Sequence, residues 1–184
     1  MPESFSGLSL LETLWLGRNP LEVIPESIFD LISLNLLGVY ETNLTGSIPP
    51  EIGNLINLKK LYLSNNQLTG EISIEICNLT NLIGLFLGYN QLSGEIPSSI
   101  CNMDMNWSDL NNFNISENQL CPPYPECIEE YVGDQDTTNC VQVSILDETF
   151  PLIYRLHSAY PNPFNLVTTL NYDLPENELV NITI

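Results

Sequence analysis

Positive charge is almost missing from this chain of 184 residues. Four Lys and Arg stand against 23 Asp and Glu, a formal net charge of -19. Such a surface repels a phosphate backbone, which argues against a nucleic-acid partner. Anionic membrane surfaces are disfavoured for the same reason. The excess acid suits solubility, cations or basic partners. Histidine is scarce as well: the sole one is His157. One imidazole cannot supply a Ser–His–acid set or a zinc cluster, and His157 reads as a solvated linker residue. Asp134-Gln135-Asp136 lacks the alternating oxygen ligands of a calcium loop and reads as a solvated acidic turn. No catalytic constellation, metal site or cofactor is expected. Long apolar runs are missing too, so no membrane span is expected. The chain does not open on a basic, then apolar, then small-residue export signal.

What is present is a repeat. Leu58, Leu61, Leu63, Asn66, Leu68, Gly70 and Ile72 return 24 residues later as Leu82, Leu85, Leu87, Asn90, Leu92, Gly94 and Ile96. The preceding copy is Leu34, Leu37, Val39, Thr42, Leu44, Gly46 and Ile48, and before it come Leu11, Leu14, Leu16, Asn19 and Leu21. A fifth copy follows after a gap of 28: Leu110, Phe113, Ile115, Asn118 and Leu120.

Each slot has a physical reason. Leu61-Tyr62-Leu63 predicts a short strand whose alternate side chains face in and out. Inward leucines of neighbouring copies would stack into one core. The column Asn19, Asn66, Asn90 and Asn118 falls where the chain leaves the strand, where a carboxamide can satisfy turned backbone groups. Gly46, Gly70 and Gly94 would relieve a crowded bend. Pro25, Pro49 and Pro97 suit a side without ladder donors.

The unit L-x-x-L-x-L-x-x-N-x-L-x-G-x-I-P, as in Leu82 to Pro97, resembles the plant-type subclass of leucine-rich repeats. The resemblance covers roughly Pro2 to Leu120. It implies a leucine-rich-repeat solenoid with a parallel β-sheet on the concave face and short 3-10 or extended segments on the convex face. Pro2-Glu3-Ser4 echoes Pro25-Glu26-Ser27, which puts Met1 in an Ile slot and suggests a start inside a coil.

Five cysteines occur. Cys121, Cys127 and Cys140 crowd a Pro-rich stretch. Residues 121–140 resemble the cysteine-bearing C-terminal caps of such proteins, and disulfides in an oxidising compartment are expected. Connectivity stays open. Cys77 and Cys101 share a slot in adjacent coils, within bridging range of each other, or they remain two buried thiols.

Residues 141–158 read as a linker. Ala159-Tyr160-Pro161-Asn162-Pro163-Phe164-Asn165 and the alternation Leu170, Tyr172, Leu174 resemble the opening of the C-terminal sorting domain of type IX secretion cargo. That implies a partial β-sandwich tail, incompletely packed over 159–184, and a secreted or bacterial cell-surface protein served by the type IX machinery. Five Asn-x-Ser/Thr sites, at Asn43, Asn78, Asn106, Asn114 and Asn181, fit instead a plant receptor-like ectodomain in signalling. A third reading is the targeting module of a larger secreted enzyme.

Strand alternation points particular residues out of the concave sheet. One column is Trp15, Gly38, Tyr62, Phe86 and Asn114; the next is Gly17, Tyr40, Ser64, Gly88 and Ser116; the third is Arg18, Glu41, Asn65, Tyr89 and Glu117. Trp15, Tyr40, Tyr62, Phe86 and Tyr89 would form an exposed aromatic patch, with Arg18, Glu41 and Asn65 beside it. Small neighbours would leave room for a ligand lying flat on the rings. A protein or peptide ligand is expected first and a glycan second. Aromatic rings also stabilise sheets with no ligand at all.

Overall fold

The computed structural model describes Phe5, residues 7–140, and the backbone of residues 169–173 and 179–183. Two compact units result, Met1–Val141 and Gln142–Ile184.

In the first unit the repeats form parallel strands, β1 (Thr13–Trp15), β2 (Leu36–Gly38), β3 (Thr45–Gly46), β4 (Lys60–Tyr62), β5 (Gln67–Gly70), β6 (Gly84–Phe86), β7 (Gln91–Glu95), β8 (Phe113–Asn114) and β9 (Gln119–Cys121). The first sheet runs β1-β2-β4-β6-β8. Its register brings Leu14, Leu37, Leu61, Leu85 and Phe113 side by side. All five point inward and are buried. They head a single core that also holds Leu34, Leu58, Leu63, Leu82 and Leu87. Each such side chain removed from water contributes about 1.5–3 kcal/mol.

A second parallel sheet, β3-β5-β7-β9, follows each turn. Thr45 pairs with Gln67, Thr69 with Gln91 and Ser93 with Gln119. The extended segments were legible in sequence; their pairing was not. Short 3-10 turns complete the coils at Glu26–Ile28, Pro50–Asn54, Ile74–Asn78 and Ser98–Asn102. Pro25, Pro49 and Pro97 immediately precede three of them, and Ser73 holds the same slot before the fourth.

The carboxamide column is a ladder between coils. Asn66 Oδ1 accepts from the backbone N–H of Thr42 and Leu44, while its Nδ2 donates to the carbonyls of Val39 and Leu63. Asn90 repeats this with Leu68 N–H and the Leu63 and Leu87 carbonyls. Asn118 does so with Leu92 N–H and the Leu87 and Ile115 carbonyls. Thr42 keeps its place by donating its hydroxyl to Asn66. Asn19, in the first coil, is exposed and reaches only the Leu16 and Gly17 carbonyls.

Several expectations need correction. Leu110 does not fill the slot of Leu58 and Leu82; it is 71% exposed, and buried Trp107 packs edge-on against Phe113 at 5.0 Å instead. The longer fifth spacing lets the larger apolar side chain take the interior. The glycine column is not chiefly about crowding. A β-carbon on Gly46 would meet nothing within 4 Å, and what Gly46, Gly70 and Gly94 share is a left-handed φ of 76°. Glycine reaches that region without steric cost. Cys77 and Cys101 are neither bridged to each other nor a pair of buried thiols. Cys101 bonds Cys127, Cys121 bonds Cys140, and half-buried Cys77 accepts from the Ser99 hydroxyl at 3.3 Å.

The turn Asp134-Gln135-Asp136, read from the sequence as solvated and acidic, is not wholly so: Gln135 is half-buried and bonded. Gln135 extends the Asn ladder: its Oε1 accepts from Leu120 N–H, and its Nε2 donates to the carbonyls of Ile115 and Val132. It lies 17 residues past Asn118, well short of the repeat step, so only its residue type hinted at the role.

In the second unit β10 (Thr169–Asp173) pairs antiparallel with β11 (Leu179–Thr183), with Leu170 opposite Ile182 and Tyr172 opposite Val180. Met1, His157, the Y-P-N-P-F-N string and the linker lie outside the described residues.

Candidate functional site: the concave face

The first sheet presents two outward residues on each of β1, β2, β4 and β6 and one on β8. Thr13, Leu36, Lys60 and Gly84 form one column, and Trp15, Gly38, Tyr62, Phe86 and Asn114 the next. The sequence reading missed the first column, although strand alternation implies it.

The aromatic side chains form a packed row. Tyr62 and Phe86 stack face to face, centroids 4.5 Å apart and 3° from parallel. Trp15 leans on Tyr62 at 5.1 Å and meets Tyr40 edge-on at 5.9 Å. Two glycines make this possible. A β-carbon on Gly38 would stand 2.0 Å from the Trp15 indole, and one on Gly17 would stand 2.4 Å from the Tyr40 ring. The small neighbours therefore seat the rings; they do not leave open slots for a ligand, as the sequence suggested. Solvent reaches the row unevenly: Trp15 is 50% exposed, Tyr40, Tyr62 and Phe86 are half-buried, and Tyr89, outside the packed row, is 54% exposed. Asn114 lies over Gly88 in the same way, 2.1 Å from where a β-carbon would be, and its Oδ1 accepts from Ser116 N–H.

The third predicted column has an unusual backbone. Arg18, Glu41, Asn65, Tyr89 and Glu117 have φ between 53° and 63°. A left-handed conformation costs a non-glycine residue on the order of 1–2 kcal/mol. After Asn65, Tyr89 and Glu117 the ladder asparagine, bonded to both coils, fixes the turn in that state; after Arg18, Asn19 bonds only its own coil. Arg18 Nε donates to Glu41 Oε2 at 3.0 Å, with both side chains exposed. That hydrogen bond, ahead of the charge attraction, raises the Arg18 pKa further. Solvent screening leaves the pair a small contributor to stability.

Charge is distributed unevenly. Arg18, Lys59 and Lys60 are the cations of the described residues, and all three lie on or beside the first sheet. The Lys60 stem runs over Gly84, 3.1 Å from a would-be β-carbon. The cations of the described residues are thus gathered at the concave face of a strongly acidic solenoid. Among the described residues no three His, Cys, Asp or Glu side chains gather to hold a metal ion. No helix there is long and apolar enough to cross a membrane.

In-register leucines, an asparagine ladder and a parallel concave sheet define a leucine-rich-repeat solenoid. Residues 56–99 match the family model described as Leucine Rich repeats (2 copies), and residues 10–31 match that described as Leucine Rich Repeat. The chain carries leucine-rich repeats. No curated protein sequence matches it. Among solved structures it is similar to the Arabidopsis receptor kinase HAESA in complex with the peptide hormone IDA and the co-receptor SERK1, at 33% identity and TM-score 0.59, covering 65% of this chain and 20% of that one. It is similar to PEPR1 in its complex with AtPEP1, at 32% identity and TM-score 0.63, covering 70% of this chain and 18% of that one. It also resembles a plant ice-binding protein, at 34% identity and TM-score 0.55, covering 65% and 38%. The chain spans between about a fifth and two fifths of these structures.

Proposed function

We propose that this solenoid is a non-catalytic binding module that takes an extended peptide or protein segment on its concave face. The continuous row Trp15–Tyr62–Phe86, packed ring on ring with Trp15 exposed and Tyr62 and Phe86 half-buried, carries the reading. Rigid aromatic surface gives large contact area at little cost in side-chain entropy. Tyr40 and Tyr89 widen the row; Arg18, Glu41 and Asn65 offer polar contacts along its margin. The complex of the Arabidopsis receptor kinase HAESA with a peptide hormone supports a peptide before a glycan. The ice-binding neighbour has a similar fold with another ligand, so the reading rests on the face and not on the fold.

The test is a binding screen of the whole chain against peptide and glycan arrays, in parallel with Tyr62→Ala/Phe86→Ala. A peptide signal lost in the double variant supports the reading. A glycan signal lost in the same way keeps the face and replaces the ligand class. A signal that survives the double variant removes the site from this face.

An extracellular location is part of the proposal, supported by Cys101–Cys127 and Cys121–Cys140, which persist in oxidising compartments. The Y-P-N-P-F-N string supports bacterial display through type IX secretion. The plant receptor neighbours support a receptor-like ectodomain instead. Fractionating a type IX-competent bacterium expressing the chain behind an export signal, with and without residues 159–184, separates the two. Surface delivery that needs those residues supports the bacterial address. Delivery that ignores them favours the ectodomain.

A further inference from the structure

We infer that the groove between the second sheet and the cysteine cap is a docking site for a basic, extended peptide segment bearing aliphatic side chains. The groove encloses about 650 Å³. Its apolar surface comes from Ile74, Pro97 and Tyr124, and its margin from Glu71, Glu75 and Glu95. It lies away from the aromatic row, so this inference does not depend on the reading of the concave face.

Two independent features converge. Ile74 is 60% exposed, although Ile76 in the same 3-10 turn is fully buried. A large aliphatic side chain left in a concave depression is a ready anchor. Tyr124 forms the facing wall, held by its hydroxyl donating to the Leu120 carbonyl at 3.0 Å. That wall belongs to the cap segment between bridged Cys121 and bridged Cys127.

The second feature is charge of one sign. Glu71 and Glu95 occupy one slot of consecutive coils, and no Lys or Arg lines the groove. The ion pair found among the described residues, Arg18–Glu41, involves none of its acids. The Ser73 hydroxyl donates to the Glu75 carboxylate and holds its pKa below the ordinary value. Lysine or arginine side chains spaced along an extended segment would meet these carboxylates while leucine-sized groups between them cover Ile74 and Tyr124.

The probe is a fluorescent synthetic peptide alternating lysine with leucine, followed by anisotropy on the whole chain. Saturable binding is expected, weakening as salt rises. Glu71→Gln/Glu95→Gln should weaken it roughly tenfold, and Ile74→Ser should weaken it several-fold. Both changes fall on exposed residues, so the fold is retained, as circular dichroism will verify. Glu26→Gln/Glu51→Gln, at a separate acidic depression, should leave it unchanged. Absence of saturable binding overturns the inference. So does equal weakening by the two Glu→Gln pairs, which would reveal general charge attraction, or loss of binding in Tyr62→Ala/Phe86→Ala, which would move the probe to the concave face.

Discussion

The indole of Trp15 lies across Gly38. A β-carbon there would stand 2.0 Å from the ring, which passes over β2 to reach Tyr62 on β4 at 5.1 Å. A glycine with no unusual backbone of its own thus sets the geometry of the aromatic row.

Gly38→Ala should therefore lift the indole from the sheet. The expected result is loss of near-ultraviolet Trp dichroism, a red shift in Trp emission and weaker ligand binding. The stability cost is about 1 kcal/mol, the value of an aromatic contact. Unchanged spectra would show that the indole does not lie on Gly38 in solution.

Asn66→Ala tests the ladder. It leaves the N–H groups of Thr42 and Leu44 and the carbonyls of Val39 and Leu63 without this partner. Unsatisfied buried groups cost about 1–3 kcal/mol each, with partial relaxation, so a loss of about 3 kcal/mol is expected in urea unfolding. Asn19→Ala, at an exposed position with two bonds, should cost under about 1 kcal/mol. Equal costs would remove inter-coil bonding as the explanation.

Gln135 gives a sharper test, because it both accepts and donates. Gln135→Glu keeps an acceptor for Leu120 N–H but turns a carboxylate toward the Ile115 and Val132 carbonyls. At neutral pH it should destabilise by about 2 kcal/mol, at least as much as Gln135→Ala. The deficit of the Glu variant should shrink in acid, when the carboxyl regains a proton to donate. A pH-independent deficit in thermal melts would argue against this bonding.

Asp109 predicts a pH dependence of opposite sense. Its carboxylate accepts from the backbone and side-chain N–H of Asn111 and from the Asn112 amide. These bonds, the Asn111 backbone first, hold its pKa below the ordinary 3.8. A depressed folded-state pKa adds stability above the unfolded value, lost as pH falls through the folded one. The stability difference between wild type and Asp109→Asn should thus be present at neutral pH and vanish in strong acid. A difference that persists there would show that the carboxylate charge is not its source.

Legibility followed the repeat. Wherever the 24-residue step held, as at Leu61, Leu85 and Asn90, burial and bonding agree with slot position, because neighbouring coils impose one environment on equivalent residues. Where the step lengthened, Phe113, Ile115, Asn118 and Leu120 still kept their slots, but Leu110, next to the inserted residues, did not. There Leu110 is exposed and Trp107 is buried against Phe113, an outcome of packing that repeat position does not encode. Cysteine pairing depends on how the cap folds back, which spacing does not encode. The concave rings were visible as outward positions. Their mutual packing over Gly17 and Gly38 was not, because it joins residues one and two coils apart. Strand alternation by itself implies the column of Lys60.

The ladder's final rung is a glutamine, and that sets a direction on the array. An asparagine rung leaves a coil face that another 24-residue unit can copy. Gln135 instead closes the Asn118 coil from a shorter, disulfide-tied segment that does not reproduce the unit. Lengthening by tandem duplication, in evolution or by design, is therefore open on the side preceding Asn118 and terminated beyond it.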